Sequence, residues 1–205
     1  MEYGFQTTGY ILEGAGVTLK LFALTLIFSL PLGFVCALGK TSGRTVLTAP
    51  LGLYTTVVRG TPLLLQLFFV YYGLPMLIPA LRFERFNAAA FTFIINYAAY
   101  FTEIFRGGIQ SIDRGQHEAA RVLGMNYRQT MVRIVLPQTV KRVLPPVANE
   151  AITLVKDTAL VVVLGIGEIL RNSKEVVSRD FTILPFVIAG VIYLALNYGV
   201  VLAFD

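Results

Sequence analysis

Apolar residues in this chain are gathered into long, nearly continuous runs, and charged residues fall mainly between them. A helix needs about 20 predominantly apolar residues to cross the hydrocarbon core of a bilayer. Strands of a membrane barrel would instead alternate apolar and polar positions. The pattern therefore predicts an all-α membrane protein with a single domain over residues 1–205. Five transmembrane helices are expected, at about 16–38, 51–78, 88–105, 143–166 and 181–204.

Prolines and a lysine interrupt some of these runs without removing them. Pro62 and Pro75 break the second run, and Lys20 near the start of the first is expected at a membrane interface. Neighbouring helices can satisfy the backbone groups that a proline frees inside a membrane. We therefore keep each run as one predicted span.

The composition agrees with a membrane protein. Hydrophobic residues make up 56% of the chain and charged residues 14%, whereas soluble domains are about 25% charged. The single cysteine, Cys36, lies in an apolar run, so a disulfide framework is excluded and we interpret it as a packing residue. The N-terminal sequence lacks the basic start of a secretory signal, and no cleaved leader is expected.

Basic residues are distributed unevenly between the predicted loops. The loop after the first span holds Lys40 and Arg44 and no acidic residue, and the segment 106–142 holds seven basic residues and two acidic ones. The other two loops are balanced in charge. Because cytoplasmic loops are enriched in Lys and Arg, we expect the two basic loops in the cytoplasm, the N-terminus outside and the C-terminus inside.

The basic segment between the third and fourth spans carries the pattern of two short helices. Gly124 can adopt a left-handed conformation that ends the first, and Asn126 is a suitable N-cap for a second that runs to Leu136. Pro137 is expected to stop or bend the second helix. Residues 116–123 suit an amphipathic first helix, with an apolar side formed by Ala119, Ala120, Val122 and Leu123.

Two interpretations of this segment follow from the residues alone. A short exposed helix can dock into a groove on a soluble partner. It can equally be an interfacial basic helix that only holds the membrane surface.

The spacing within the segment favours the first interpretation. Glu118-Ala119-Ala120, three residues, Gly124, nine residues and then Ile134-x-Leu136-Pro137 resemble the EAA signature of permease subunits in bacterial ATP-binding cassette (ABC) importers. The resemblance implies a type I ABC importer permease fold in which 116–124 is the coupling helix. The residues expected to seat in the ATPase are Glu118, Ala119, Ala120, Arg121 and Gly124.

Three further stretches are similar to the permeases of polar amino acid uptake systems: RGTPLLLQLFFVYYGLP from Arg59, EIFRGGIQSIDRGQHEAA from Glu103 and NEAITLVKDTALVVVLGIGE from Asn149. The resemblance covers nearly the whole chain. It implies several partners: two ATPase subunits, a second permease chain that is identical or similar, and an extracytoplasmic substrate-binding protein.

The chain itself is not expected to bind ATP. Gly39-Lys40-Thr41 resembles part of a phosphate-binding loop, but that loop requires four residues between its glycines, and Gly33 is one position too far away. No cofactor is therefore predicted for this chain, and ATP and Mg²⁺ are assigned to the partner subunit. His117 and Cys36 are too few for a metal site, and no catalytic constellation is present, so no enzyme activity is expected.

Polar residues inside predicted spans are candidates for contact with a solute, because such residues are costly in a membrane. Helical spacing places Asn96, Tyr100 and Glu103 on one face of the third span. The same spacing places Glu150, Thr153 and Asp157 on one face of the fourth. Two acidic faces opposite each other would form an electronegative pathway suited to a cationic or zwitterionic solute.

A structural interpretation of the same residues remains open. Glu103 can pair with Arg106 or Arg59, and Asp157 can accept from backbone donors. The family resemblance implies a small residue near position 96, so Asn96 is a departure that can tune the substrate. The run Phe68, Phe69, Tyr71 and Tyr72 is interpreted as an interfacial aromatic belt.

The expected function is ATP-driven import of polar amino acids, with basic ones favoured because acids outnumber bases in the third and fourth spans. Glutamine is the nearest alternative. A stand-alone secondary transporter or channel and a membrane scaffold are the rival classes, and the first of these would be supported by inverted repeats, which we do not find.

Overall fold

The structure is a computed structural model that describes residues 2–204, and within this range it contains helices and no strand. Its first half holds three helices. Helix α1 covers Glu2–Thr41 and α2 covers Thr45–Arg59. Helix α3 covers Leu63–Leu77 and contains a π-helical turn at Phe69–Gly73.

The second half begins with α4 at Arg85–Gln110. The short helix α5 covers Arg114–Val122. Helix α6 starts at Tyr127–Thr130, passes through a π-helical turn at Met131–Val135 and continues over Leu136–Asp157. A 3₁₀ helix at Thr158–Leu164 follows, and α7 and α8 cover Ile169–Asp180 and Leu184–Phe204.

Three helices in the described range are long and apolar enough to cross a bilayer: Gln6–Thr41, Arg85–Gln110 and Leu184–Phe204. The predicted span at 51–78 is instead two helices, Thr45–Arg59 and Leu63–Leu77, which meet at an angle of 103°. This bent pair raises the number to four if it is one span. The break falls at Gly60-Thr61-Pro62, where Pro62 cannot donate a backbone hydrogen bond.

The predicted span at 143–166 is not among these helices, since α6 ends at Asp157 and gives way to the tighter 3₁₀ turn. The number of five crossings and the outside position of the N-terminus therefore stay predictions. The general expectation of an all-helical protein with several apolar helices is confirmed.

Helices α1 and α4 run side by side in the same direction. Lys20 lies over the ring of Phe86 near one end, and Lys40 pairs with Glu103 near the other. Gly33 allows the close approach between them, because a Cβ at this position would stand 2.7 Å from the Cβ of Phe101. The shared core is centred on α4, whose Phe93, Tyr97 and Phe101 are fully or almost fully buried.

The turn between α5 and α6 has the predicted chemistry. Gly124 is left-handed, with φ of 71°. The Asn126 side chain accepts from the backbone N–H of Gln129 while Gln129 accepts from that of Asn126, both at 2.9 Å, which is a capping box. Helix α5 begins two residues earlier than predicted, capped by Asp113.

The prediction that the following helix ends at Leu136 is wrong, because the chain stays helical through Pro137 to Asp157. The N–H of Leu136 bonds the carbonyl of Met131, five residues back, instead of the usual four. This π-helical turn shifts the hydrogen-bond register immediately before the proline, which lacks an N–H. Such turns are a known way to accommodate an irregularity without ending a helix.

Helix α7 is attached to α1 and α8 through two carboxylates. Glu168, fully buried, accepts from the N–H groups of Leu170 and Arg171 and from the hydroxyl of Tyr193. Glu175, on the exposed side, accepts from the hydroxyl of Tyr10 at 2.6 Å. These contacts hold the segment after α6 against the N-terminal part of α1.

Candidate functional site

A cavity of about 540 Å³ opens at the bend between α2 and α3 and extends to the facing surfaces of α4 and α6. Its size lies in the range of small-molecule sites in proteins. Its polar side chains come from four elements: the end of α2, the bend itself, α4 and α6. The cavity therefore exists only because these elements meet.

Five of the six residues predicted to contact a solute line this one cavity: Asn96 and Tyr100 from α4, and Glu150, Thr153 and Asp157 from α6. On each helix the spacing of three or four residues puts the side chains on one face. Packing of α4 against α6 turns the two faces towards each other. The two faces are thus seen opposite each other, but only one of them is acidic, because both carboxylates of the cavity come from α6 and Glu103 of α4 does not line it. The binding of a solute there stays a prediction.

The two carboxylates of the cavity have different surroundings. Asp157 Oδ2 accepts a hydrogen bond of 2.7 Å from the hydroxyl of Tyr97, and not from the backbone donors considered from the sequence. Glu150 makes no hydrogen bond or ion pair with any residue in the described range 2–204. Both side chains are half-buried. A solute cation entering the cavity would find one acidic group without a bonded partner.

Tyr97 is a residue of the site that the sequence analysis missed. It is almost fully buried, with 2% exposure, and its hydroxyl is the polar end of an aromatic stack with Phe93 and Phe101. Its position directly after Asn96 was the available signal. The interior of an apolar run gave no reason to expect that its hydroxyl reaches another helix.

Arg59 brings a positive charge to the same cavity. It lies at the C-terminal end of α2, where the helix dipole favours a cation, and its guanidinium lies 5.2 Å from the centre of the Tyr100 ring. A contact of this kind between a guanidinium and an aromatic face is attractive. The cavity therefore presents two carboxylates and one guanidinium.

Glu103, the sixth predicted residue, lies outside this cavity. It pairs with Lys40 of α1 and with Arg106, one turn away, at 2.7 Å. A separate polar cavity of about 410 Å³ adjoins Lys40, Glu103 and Arg59. Of the two partners considered for Glu103, Arg106 is observed and Arg59 is not, and Lys40 is an addition that the sequence did not indicate.

The ammonium of Lys40 also donates to the hydroxyl of Thr55 at 2.8 Å. Gly39, Lys40 and Thr41 all belong to the last turns of α1. This is a helix end and not a strand followed by a phosphate-binding loop. Among the described residues, no group of three or more His, Cys, Asp or Glu side chains is placed to hold a metal ion.

Helix α5 presents most of the predicted coupling residues to solvent. Glu118, Ala119, Arg121 and Gly124 are exposed, whereas Ala120 is buried. Three large apolar side chains beside them are also open: Val122 is 87% exposed, Leu123 77% and Tyr127 70%. The apolar side expected for this helix is therefore only partly covered by the chain itself. An exposed apolar patch with a charged rim is typical of a docking surface.

Comparison with known proteins assigns the chain to a family. The model of the family "Binding-protein-dependent transport system inner membrane component" matches residues 29–205. The arginine transport system permease protein ArtQ of Bacillus subtilis (strain 168) is 43% identical over 188 residues, covering 91% of this chain and 85% of that protein. The glutamine transport system permease protein GlnP of Escherichia coli (strain K12) is 36% identical over 171 residues, covering 83% and 78%.

Solved structures of ABC transporters support the same family assignment. A chain from the crystal structure of an amino acid ABC transporter with histidines is 33% identical, with a TM-score of 0.90 and coverage of 98% of this chain and 94% of that one. The MetNI methionine ABC transporter in an inward-facing conformation is 17% identical, with a TM-score of 0.78 and coverage of 96% and 93%. At that identity the likeness shows the fold alone. The resemblance read from the EAA signature and the predicted type I permease fold are confirmed, and the chain belongs to the family of inner membrane components of binding-protein-dependent transport systems, the permease subunits of ABC importers.

Proposed function

We propose that this permease translocates polar amino acids, and basic ones in preference, through the cavity between α4 and α6. The observation that supports this is the charge of the cavity, where Glu150 and Asp157 face the same space as Arg59. A basic amino acid carries two cationic groups and one carboxylate. Its charges are therefore the complement of those in the cavity.

The pairing can be assigned group by group. The guanidinium of Arg59 is suited to the α-carboxylate, because Arg and carboxylate form strong, often bidentate hydrogen bonds. Glu150 and Asp157 are suited to the α-ammonium and the side-chain cation. Asn96, Tyr100 and Thr153 are placed to orient the solute through neutral polar contacts.

Glutamine is the second candidate. It would leave one cavity carboxylate without a cationic partner, and a half-buried unpaired charge is unfavourable. Basic and glutamine-type substrates are both represented among the named relatives, since one is an arginine system and another a glutamine system. The charge count favours the basic class for this chain.

The energy for transport comes, in this proposal, from a separate ATPase that binds ATP and Mg²⁺. Exposed α5 supports such a docking role, with Val122 and Leu123 offered to the partner's groove. Two ATPase subunits, a second permease chain and an external substrate-binding protein complete the importer. The chain lies in the cytoplasmic membrane with its N-terminus outside and α5 in the cytoplasm.

Alternating access then follows from differential affinity. ATP binding closes the ATPase pair, α5 moves with it, and the helices exchange inward-open and outward-open arrangements. A ligand shifts such an equilibrium only by as much as it prefers one state over the other. ATP and solute then act on the same equilibrium at separate sites.

The test is the binding of [³H]arginine and its uptake by the reconstituted complex with Glu150→Gln and Asp157→Asn. Each loses one charge at nearly constant shape, and we expect about tenfold weaker arginine affinity in each, since hydrogen bonds to charged groups contribute about 1.5–3 kcal/mol. Glu84→Gln, an exposed carboxylate ahead of α4 and away from the cavity, is the matched control. Wild-type affinity in both cavity variants would remove the electrostatic basis of the proposal.

A second experiment separates the importer from a stand-alone transporter. The chain is purified alone and with the proteins that copurify from native membranes, and both samples are placed in liposomes. Uphill arginine uptake is expected only when an ATPase subunit and ATP are present. Accumulation by the isolated chain under a proton or sodium gradient would favour the secondary-transporter alternative.

A further inference from the structure

The side-chain amide of Asn96 is oriented by a residue that does not line the cavity. Gln66 lies on α3, just after the bend between α2 and α3. Its amide nitrogen faces three oxygen atoms: the main-chain oxygens of Val58 and Thr61, at 2.8 and 3.1 Å, and the hydroxyl of Thr61 at 2.8 Å.

These three contacts determine the positions of the nitrogen and the oxygen in the Gln66 side-chain amide. Main-chain oxygens can only accept, so the NH₂ end must point at them. The Thr61 hydroxyl donates to the carbonyl of Val57 at 2.9 Å, so it too is an acceptor towards Gln66. Val57 and Val58 belong to the last turn of α2, where carbonyls have no partner within the helix. The carbonyl oxygen of Gln66 is therefore left to face the other way.

That oxygen faces Asn96. The amide nitrogen of Asn96 donates to Gln66 Oε1 at 3.0 Å. Reversing the Asn96 amide would place two carbonyl oxygens against each other, and Asn96, at 3% exposure, has little solvent to compensate. One N–H of the Asn96 amide is thus committed to Gln66, which fixes the orientation of the amide, and its carbonyl oxygen remains for the cavity that the residue lines.

We propose that Gln66 is a positioning residue for specificity: it holds Asn96 as a hydrogen-bond acceptor, so that the cavity selects an N–H donor group over a carboxylate at this point. The proposal rests on the proposed function, because it concerns the same cavity and a substrate with ammonium or guanidinium groups. The orientation of both amides is set by main-chain carbonyls at the end of α2 and the bend, which accept from Gln66. Asn96 consequently presents its carbonyl oxygen to the cavity. The reversed Asn96 amide would present N–H groups and favour an anion.

The experiment uses the permease–ATPase complex in lipid nanodiscs. The dissociation constant of [³H]arginine is measured directly, and glutamate is the competitor that reports acceptance of a carboxylate side chain. The variants are Gln66→Met, which keeps side-chain length but removes both polar ends, Asn96→Leu, and the two combined. Thermal unfolding of each complex is recorded alongside.

We expect Asn96→Leu to weaken arginine binding about tenfold, the value of one hydrogen bond to a charged donor. Gln66→Met frees the Asn96 amide to rotate. The affinity for arginine should therefore fall, and the ratio of arginine affinity to glutamate affinity should become smaller. The double variant is expected to match Asn96→Leu, because Gln66 acts only through Asn96. If Gln66 instead had a purely structural role at the bend, Gln66→Met would lower the affinity for all ligands equally. Its effect would then add to that of Asn96→Leu in the double variant.

Gln66→Leu gives an independent test should Gln66→Met fail to assemble. Like Gln66→Met, it removes both polar ends of the side chain, and the preference for arginine over glutamate is expected to narrow to the same extent. Unchanged arginine–glutamate selectivity in the Gln66 variants would overturn the proposal, and so would an arginine affinity of Asn96→Leu that equals wild type. A wild-type complex that binds neither arginine nor glutamine would overturn the proposed function and this inference with it. If the wild-type complex binds arginine and Gln66→Met has the same arginine affinity and selectivity, this inference alone is overturned.

Discussion

The hydroxyl of Tyr97 on α4 donates a hydrogen bond of 2.7 Å to Asp157 on α6, and this bond joins the two helices that supply most of the candidate cavity. The two residues are 60 positions apart in the chain. Both residues line the cavity, and Tyr97 is in addition part of the buried aromatic core. The same carboxylate therefore has a packing role and a proposed role in binding.

These two roles can be separated by substitution. Tyr97→Phe leaves the half-buried Asp157 without its donor, and we expect the free energy of unfolding to fall by about 1–3 kcal/mol. Asp157→Asn keeps an oxygen that accepts from Tyr97, so stability should stay within about 1 kcal/mol of wild type while arginine affinity falls. Denaturant unfolding in micelles and calorimetric binding provide the two readouts. Equal losses of stability and affinity in both variants would contradict the separation.

Removal of the charge at Glu103 is expected to lower the free energy of unfolding. Glu103→Gln leaves Lys40, whose side chain is only 14% exposed, and Arg106 without an anionic partner. An unpaired charge in such surroundings costs about 1–3 kcal/mol. Arginine affinity should remain within about threefold of wild type, since Glu103 lies outside the cavity.

The double variant Lys40→Met/Glu103→Gln is the control for this ion pair. It removes both charges, and part of the lost stability should return. A tenfold weaker arginine affinity in Glu103→Gln at unchanged stability would instead support the substrate contact predicted from the sequence.

Replacement of Gly124 should uncouple ATP hydrolysis from uptake. Its φ of 71° is left-handed, and a β-branched side chain there is strained by about 1–2 kcal/mol although no atom lies within 4 Å of its Cβ position. Gly124→Val is therefore expected to distort the turn after α5 and to lower the amino acid transported per ATP hydrolysed. Gly124→Asn is the matched control, because asparagine tolerates this conformation. Normal coupling in Gly124→Val would show that α5 is not the docking helix.

The contact between α1 and α7 should depend on pH. The hydrogen bond from Tyr10, followed by the neighbouring Arg171 guanidinium, holds the pKa of Glu175 below its ordinary value of 4.5. A carboxylate with a lowered folded pKa contributes stability above its unfolded pKa and loses it as pH falls through the folded value. We therefore expect hydrogen exchange in α7 to accelerate below about pH 4.5.

Glu175→Gln identifies the source of this dependence. The variant keeps an acceptor for Tyr10 but has no carboxylate to titrate, so the acceleration of exchange in α7, corrected for the intrinsic effect of pH, should be smaller than in wild type. The same pH dependence in the variant and in wild type would assign the effect to other groups.

Local features of the chain were predictable because they depend on residues close in sequence. The spacing of Glu150, Thr153 and Asp157 put them on one face of a helix, and that face lines the cavity. Gly124 and Asn126 have the conformations expected of a left-handed cap and an N-cap. The helix end expected at Leu136 was wrong because a π-helical turn, which has no clear sequence signature, shifts the hydrogen-bond register before Pro137.

The sequence by itself determined that this protein is a bundle of apolar helices with an exposed amphipathic segment, since hydropathy and short-range spacing act within each helix. Only the tertiary structure decided which polar groups meet. Lys40 reaches Glu103 across 63 residues, Asn96 reaches Gln66 across 30, and the chain bends by 103° between α2 and α3. These partnerships depend on how helices are rotated and how closely they pack, and the periodicity of one helix carries no information about the face presented by another.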